Sequence, residues 1–265
     1  MRRKVSIILP CYNEAGHICD LVRKVMFSLP HRWECEVVVV DDNSPDGTYA
    51  KVAGVFAEDA RVIPVLRTAD RGLAKSIRAG LEYATGDQIV VMDSDFTHDP
   101  GELAKLLHVG TAYDIVIGSR FCPGGAMQNS GHYAASMFFN WFLRCVIGTQ
   151  IQDNLGGYFT MRADKLRRLP FDLIFFGYGD YFFRLLHFAQ REGLSVVEVP
   201  ARYVARRSGT SKSRHLQMLW TYSLEAARLR MQAGRDAAFI RAASARTGPD
   251  AGGEAEPHGG RPASR

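Results

Sequence analysis

Two aspartates separated by one residue are the group in this sequence best suited to hold a metal ion. Asp93 and Asp95 follow an apolar run at residues 88–92, so the pattern predicts that they lie at the end of a buried strand. On an extended segment, side chains at positions i and i+2 point the same way, and both carboxylates can therefore reach one cation. Carboxylates and diphosphate oxygens together suit Mg²⁺ or Mn²⁺. We predict such a cation site here, binding a diphosphate.

Two further polar clusters follow apolar runs, at residues 11–14 and 41–47. The first lacks the G-x-G-x-x-G pattern, so a dinucleotide site of the NAD type is excluded. The second cluster contains many acids and superficially suggests a calcium loop. Counted from Asp42, however, the twelfth position is Ala53, whereas an EF-hand calcium loop has Glu there, so the EF-hand interpretation fails. A plain turn explains residues 43–47, but it does not explain two acids at the end of an apolar strand.

The elements that must position these clusters alternate along the first part of the chain. Short β-branched runs and helical stretches follow one another up to about residue 119, which is typical of a mainly parallel sheet covered by helices. Ligands bind such sheets at the carboxyl ends of the strands, where the three polar clusters fall. The predicted strands are residues 4–10, 36–41, 62–66, 88–92 and 114–117, and the predicted helices are residues 15–28, 48–57, 73–84 and 101–107.

The remainder of the chain is less regular. Helices are predicted at residues 133–147, 179–190 and 215–232, and a strand at residues 195–204. Residues 136–146 are apolar nearly all round, so this helix is expected either under protein or against lipid. The helix at residues 215–232 is expected either in a membrane interface or packed on the catalytic domain.

Composition and charge narrow the classes of partner. The chain has 265 residues and a formal net charge of +5. Five Lys or Arg but no acid lie between residues 200 and 224, which predicts an anionic ligand there.

The five cysteines form no C-x-x-C pair and are predicted to be free thiols in a reducing compartment. No apolar run reaches the roughly 18 residues of a spanning helix, so membrane contact is predicted to be peripheral.

Five motifs together carry a resemblance to a known family. They are residues 9–14 (LPCYNE), 40–48 (VDDNSPDGT), 72–74 (GLA), 92–100 (MDSDFTHDP) and 118–120 (GSR). In this order they resemble family 2 glycosyltransferases of the GT-A fold, and most of all the dolichol-phosphate and polyprenyl-phosphate mannose synthases. The resemblance runs in register over residues 5–212, and it implies an α/β fold with a mainly parallel mixed sheet flanked by helices.

The resemblance implies a donor site. Asp93 and Asp95 match the metal ligands of the family, with Thr97 as a third polar group near the cation. The residues that match the nucleoside-binding motifs are Pro10, Tyr12, Glu14, Asp41 and Asp42. Cys11 stands where the family usually has Thr or Ser.

The resemblance also implies an acceptor site and a closing segment. Residues matching the acceptor-phosphate contacts are Arg120, His132 and Ser136, where His132 replaces a usual Arg. Residues matching the segment that closes over both phosphates are Arg206, Ser211 and Lys212, of which Arg206 and Lys212 are predicted to be catalytic. We expect one catalytic domain over residues 1–232, with a nucleotide-sugar half at 1–119 and an acceptor half at 120–232, followed by a disordered tail at 247–265.

Three functions are compatible with these residues. The first is inverting transfer of a sugar, with mannose as the family default, from GDP-mannose or a UDP-sugar to a polyprenyl or dolichyl phosphate. This enzyme would be peripheral at the cytoplasmic face of a membrane and would have no nucleic-acid partner. The second is a glycosyltransferase of the same fold acting on a hydroxyl, with Asp180 as general base. The third is a non-catalytic nucleotide-binding module, against which the intact Asp93 and Asp95 argue.

Overall fold

The computed structural model describes residues 3–127, 130–204 and 218–232, with only the backbone described at residues 130–132. The strands are β1 Arg3–Cys11, β2 Trp33–Asp41, β3 Val62–Leu66, β4 Gln88–Val91, β5 Ile115–Ser119, β6 Ala126–Met127, β7 Phe159–Arg162, β8 Val196–Pro200 and β9 Arg202–Tyr203. The helices are α1 Ile18–Ser28, α2 Thr48–Val55, α3 Leu73–Tyr83, α4 Leu103–Val109, α5 Ser130–Leu143, α6 Ala163–Leu166, α7 Phe171–Ile174 and α8 Tyr181–Arg191, followed by α9 at residues 218–232.

Seven of these strands form one sheet in the order β3-β2-β1-β4-β7-β5-β8. Every adjacent pair is parallel except the two pairs made by β7, which runs antiparallel to β4 on one side and β5 on the other. The predicted α/β fold, a mainly parallel mixed sheet flanked by helices, is therefore confirmed.

The central strands are buried on both faces, because helices cover both sides of the sheet. Alternating residues of β2 divide between two clusters: Val37 and Val39 pack with α1 and α4, whereas Val38 and Val40 pack with α3 and α8. This division follows from the period of two along a strand. The unbroken apolar run of β2 in the sequence is thus the signature of a strand with no solvent-facing side.

Several short elements were not predicted from the pattern, namely β6, β7, α6 and α7. Of these, β7 matters most for the sheet, because it pairs antiparallel with β4 and β5, two strands distant in the chain. The strand predicted at residues 195–204 is divided: β8 belongs to the large sheet, and β9 pairs in parallel with β6 in a separate two-stranded sheet.

A third apolar cluster joins the carboxyl-terminal helices to the rest of the molecule. It contains Leu143 at the end of α5, Ile147 just after that helix, Phe183 of α8, and Tyr222, Ala226 and Leu229 of α9. One face of α9 therefore packs on protein, which is one of the two arrangements expected for it. Among the described helices, none combines the length and apolar character needed to cross a bilayer. The predicted tail at residues 247–265 lies outside the described residues.

Candidate active site

The polar clusters predicted from the sequence meet at one edge of the sheet. In β1 and β2, Cys11 and Asp41 are register partners, and β4 lies on the other side of β1. The loops that follow β1 and β2 are hydrogen-bonded to each other: the Asn13 N–H donates to Ser44 Oγ at 2.9 Å and the Glu14 N–H donates to Thr48 Oγ1 at 3.0 Å. These contacts join the two loops at the carboxyl ends of β1 and β2.

The acidic turn after β4 is oriented by the serine at its centre. Ser94 Oγ donates to the carbonyl oxygen of Pro10 at 2.9 Å, so this side chain points toward β1. The side chains on either side are expected on the opposite face. The Asp93 side chain is 41% exposed, whereas Asp95 is buried and its Oδ1 accepts the Thr97 N–H at 2.9 Å. Phe96, between Asp95 and Thr97, has φ of 66°, a left-handed conformation that is uncommon for a non-glycine residue.

The donor atoms of this turn fit a hard divalent cation. Asp93 and Asp95 supply carboxylate oxygens, and the buried hydroxyl of Thr97 has no hydrogen-bond partner among the described residues. Within those residues no group of three or more His, Cys, Asp or Glu side chains is placed to hold a metal ion. Two carboxylates completed by substrate phosphates and water are the usual surroundings of Mg²⁺. The turn thus suits a cation that is shared with a bound diphosphate.

Tyr12 and Glu14 lie in the loop after β1, and both have partners. Arg71 Nη1 donates to the Tyr12 hydroxyl at 3.2 Å, and its guanidinium carbon lies 5.3 Å from the centre of the Tyr12 ring. The Glu14 carboxylate lies 2.9 Å from His17 Nε2. Below them, burial raises the pKa of the Cys11 thiol, which donates to the Leu9 carbonyl. Cys11 therefore acts as a neutral packing group.

The two acids that end β2 hold neighbouring loops in place. Asp41 accepts the backbone N–H of Ser44 at 3.1 Å and also the Ser44 hydroxyl. Asp42 accepts the Gly72 N–H at 2.8 Å and forms an ion pair with Arg67. The sequence did not reveal this structural role of the two acids. Their role in nucleoside binding stays a prediction.

Arg120 is held by a buried aspartate. Its Nε and Nη2 donate to the two carboxylate oxygens of Asp153 at 2.8 and 2.7 Å, and its backbone N–H donates to the same group at 3.0 Å. Burial lowers the pKa of the Arg120 guanidinium, but the Asp153 carboxylate outweighs burial and the pKa lies above its ordinary value. Asp153 was not predicted, because a lone Asp 33 residues away gives no signal of its partner.

The other predicted acceptor residues are only partly described. Ser136 lies half-buried on α5, and its carbonyl accepts the side-chain amide of Asn140 at 2.8 Å. His132 lies on the same helix, but its side chain is outside the described part. Arg206, Ser211 and Lys212 also fall outside the described residues. The roles assigned to these residues therefore stay predictions.

Asp180, the candidate general base, is held by protein contacts at the start of α8. Oδ1 accepts the Tyr178 N–H at 2.7 Å, and Oδ2 forms an ion pair with Arg184, which is completely buried. Arg184 also lies 3.5 Å from Glu225 of α9. A base must have a free lone pair directed at the substrate proton. The Tyr178 N–H and Arg184 instead occupy both oxygens of this carboxylate.

Comparison with known proteins gives consistent relatives. Residues 6–169 match the family model described as Glycosyl transferase family 2. The chain is 36% identical over 218 residues to undecaprenyl-phosphate mannosyltransferase of Micrococcus luteus, covering 79% of this chain and 87% of that one. It is 34% identical to polyprenol monophosphomannose synthase of Mycolicibacterium smegmatis, covering 79% and 81%. It is 32% identical to dolichol-phosphate mannosyltransferase of Pyrococcus furiosus. That match covers 79% of this chain and 59% of the Pyrococcus protein.

Solved structures agree on the fold. Glucosyl-3-phosphoglycerate synthase from Mycobacterium tuberculosis, in complex with Mn²⁺, UDP and phosphoglyceric acid, superposes with a TM-score of 0.63 at 18% identity, covering 85% of this chain and 78% of that one. The same enzyme with Mg²⁺ and UDP gives 0.63 at 19% identity, covering 86% and 80%. At this level of identity the likeness shows the fold alone.

Removing the partner of Arg120 tests the importance of this buried pair. We expect Asp153→Asn to lower the free energy of unfolding by about 3 kcal/mol, because it leaves a guanidinium charge buried without its counter-ion. Urea unfolding followed by circular dichroism measures this change. The matched control is Asp164→Asn, which breaks the half-exposed pair with Arg162 and should change stability by less than about 0.5 kcal/mol. Equal effects of the two variants would contradict the assignment.

Proposed function

The chain belongs to glycosyl transferase family 2, and we propose that it transfers mannose from a nucleotide diphosphate to a polyprenyl phosphate, with inversion at the anomeric carbon. The observation that carries this proposal is the agreement of the three curated relatives. All of them are named as mannosyl enzymes of undecaprenyl, polyprenol or dolichol phosphate, and each is matched over 79% of this chain.

The donor half of the proposed site comprises residues 1–119. The loops after β1 and β2 would hold the nucleoside, with GDP-mannose as the first candidate donor and a UDP-sugar as the second. A divalent cation at Asp93 and Asp95 would neutralise the negative charge that grows on the diphosphate as the sugar leaves. Arg206 and Lys212 are proposed to add positive charge over the same phosphates.

The acceptor half, residues 120–232, has to bind a phosphate monoester. Such an acceptor already carries a nucleophilic oxygen anion, so no side chain has to remove a proton. Arg120, Ser136 and His132 are proposed to hold its other oxygens, and Arg120 is fixed for this role by Asp153. Direct attack of the phosphate oxygen on the sugar carbon, opposite the departing diphosphate, inverts that carbon.

Transfer to a hydroxyl is the weaker candidate because it depends on Asp180. A hydroxyl acceptor needs a base to take its proton. Asp180 is buried, and Arg184 neutralises it, so it is poorly placed for that step. The contacts of Asp180 fit a structural role, which is to connect the loop before α8 to α9.

An exposed apolar surface fits a lipid acceptor. On α5, Phe138 and Trp141 are 67% and 56% exposed, and on α9, Trp220 is 68% exposed. The buried faces of the same two helices meet in the third apolar cluster. We propose that these exposed side chains dip into the cytoplasmic face of a membrane, which makes the enzyme a peripheral protein that meets its acceptor at the lipid surface.

Removal of the metal tests the proposed chemistry. Purified enzyme is given radiolabelled GDP-mannose, and in parallel UDP-glucose, with membrane lipid extract as acceptor. We expect one donor to yield an organic-extractable labelled product that EDTA abolishes and Mn²⁺ or Mg²⁺ restores. Asp93→Asn should lower kcat on the order of 100-fold to 1000-fold.

The control for this variant is Asp99→Asn, an acid of the same loop whose side chain pairs with Lys24 away from the acidic turn. We expect it to retain activity within about threefold, since no charge is lost at the diphosphate. A labelled lipid formed equally well in EDTA would contradict the metal-dependent function.

Membrane contact is tested with the aromatic side chains of α5. The double variant Phe138→Ser/Trp141→Ser should bind anionic phosphatidylglycerol vesicles at least about tenfold more weakly, because burying apolar surface contributes about 25 cal/mol per Å². Co-sedimentation measures the binding. The control is Phe27→Ser/Tyr83→Ser, which removes two exposed aromatics from α1 and α3 and should bind like the unaltered protein. Equal losses would contradict a specific lipid-facing surface.

The choice of acceptor is tested at Asp180. We expect Asp180→Asn to keep activity toward a prenyl phosphate within about tenfold, although it loses about 2 kcal/mol of stability because the buried Arg184 keeps only its 3.5 Å contact with Glu225. Initial rates are measured below the unfolding temperature of the variant, with Asp172→Asn, which breaks an exposed pair with Arg78, as the reference. Loss of turnover in a folded variant would favour the general-base reading.

A further inference from the structure

The ring of His98 is fixed by two tyrosines directly beneath the acidic turn. The ring is fully buried; it stacks on Tyr158, with centres 4.7 Å apart and planes 8° apart, and meets Tyr203 edge-on, also at 4.7 Å. Both tyrosine hydroxyls are themselves anchored, to the carbonyl oxygens of Asp99 and Gly118 at 3.1 Å. The imidazole consequently has one orientation.

The hydrogen bonds of this ring define where its proton lies. Nδ1 accepts the backbone N–H of Asp93 at 2.9 Å, so Nδ1 carries no proton and the neutral ring carries it on Nε2. Nε2 is buried and has no hydrogen-bond partner among the described residues, and it lies 3.6 Å from Oδ2 of Asp93. A buried N–H without an acceptor is rare in folded proteins.

Two simpler roles do not account for this arrangement. His98 is not a metal ligand in this orientation, because one ring nitrogen is bonded to the backbone and the other bears a proton. It is not only a packing residue either, since a phenylalanine would stack between Tyr158 and Tyr203 without burying an unsatisfied N–H. Both nitrogens are instead directed at the same residue, Asp93.

We propose that His98 is a positioning residue for Asp93. Nδ1 fixes the backbone at the end of β4, and Nε2–H donates to Oδ2 of Asp93 when the carboxylate turns to bind a cation, leaving Oδ1 for that cation. A movement of about 0.4 Å brings the present 3.6 Å separation within hydrogen-bond range. Hydrogen bonds from surrounding residues commonly orient metal-binding carboxylates in this way. The inference rests on the proposed function, since it needs a cation at Asp93 and Asp95.

The same histidine connects the acidic turn to β9. Its backbone forms a bridge with Tyr203, and the Val204 N–H donates to the Thr97 carbonyl at 3.1 Å. The Tyr203 ring also lies 4.9 Å from the guanidinium carbon of Arg120. Through His98 and Tyr203, the proposed metal ligand and the proposed acceptor-binding arginine thus share one rigid support.

The test separates metal binding from folding and from nucleotide binding. Mn²⁺ affinity is measured by electron paramagnetic resonance titration in the presence of GDP, with UDP in parallel, and nucleotide affinity is measured separately in EDTA by calorimetry. We expect His98→Phe, which keeps the stack, to weaken Mn²⁺ binding by about 10-fold to 100-fold while nucleotide affinity in EDTA changes less than about threefold. His108→Phe, the same substitution at an exposed histidine of α4 that contacts Arg32, is the matched control and should bind Mn²⁺ within about threefold of the unaltered protein.

His98→Asn gives an independent reading if His98→Phe does not fold. Its side-chain oxygen can replace Nδ1 as acceptor for the Asp93 N–H, but it offers no donor at the position of Nε2, so we expect a smaller loss of Mn²⁺ affinity, about 3-fold to 10-fold. Unchanged Mn²⁺ affinity in either variant, or an equal loss of nucleotide affinity in EDTA, would overturn the positioning role. Failure of the unaltered protein to bind Mn²⁺ with either nucleotide would instead refute the metal site of the proposed function.

Discussion

The parallel hydrogen-bonded register between β1 and its neighbours β2 and β4 is the constraint on which the rest of the site depends. It brings Cys11 level with Asp41 and brings the end of β4 alongside Ile8, although these segments are about 30 to 80 residues apart in the chain. The carboxyl ends of the three strands therefore share one edge. A slip of one residue in β2 would exchange its two faces, sending Val37 and Val39 to the wrong cluster.

Around this edge, buried ion pairs fix the loops that the strands alone leave undefined. Asp42 with Arg67 sets the loop before α3, Asp153 with Arg120 sets the loop after β5, and Asp180 with Arg184 sets the start of α8. A buried charge is tolerated only when it is paired and hydrogen-bonded, so each pair permits little variation in geometry. The loops after β5 and before α8 are therefore held largely by charged groups that satisfy one another.

The carboxyl-terminal helices combine two requirements. α9 packs through Tyr222, Ala226 and Leu229 on protein, and the Tyr222 hydroxyl accepts the Gly179 N–H at 2.9 Å. The remaining apolar side chains of α5 and α9 face outward, where a lipid surface would cover them. A helix that is apolar nearly all round can thus contribute to the protein core and still present an apolar face to a membrane.

The sequence by itself determined most of the sheet and the meeting of the polar clusters at one of its edges. Buried parallel strands are read as continuous apolar runs, and polar clusters at their ends must meet because neighbouring parallel strands end at one edge. The position of Asp93 and Asp95 beside the loops after β1 and β2 followed from this rule and from family resemblance. Strand β7 escaped detection because a four-residue antiparallel strand has no periodicity long enough to recognise.

Only the tertiary structure decided which charged groups are available to ligands. Asp153, Arg67 and Arg184 look like ordinary surface residues in the sequence, and they have partners on other elements, such as Arg120, Asp42 and Glu225. Asp180 resembled a free base until its ion pair with Arg184 was located. His98 was not singled out from the sequence, and in the structure its two nitrogens face Asp93. The physical reason is that pairing and burial depend on how the whole fold packs, which a local sequence pattern does not encode.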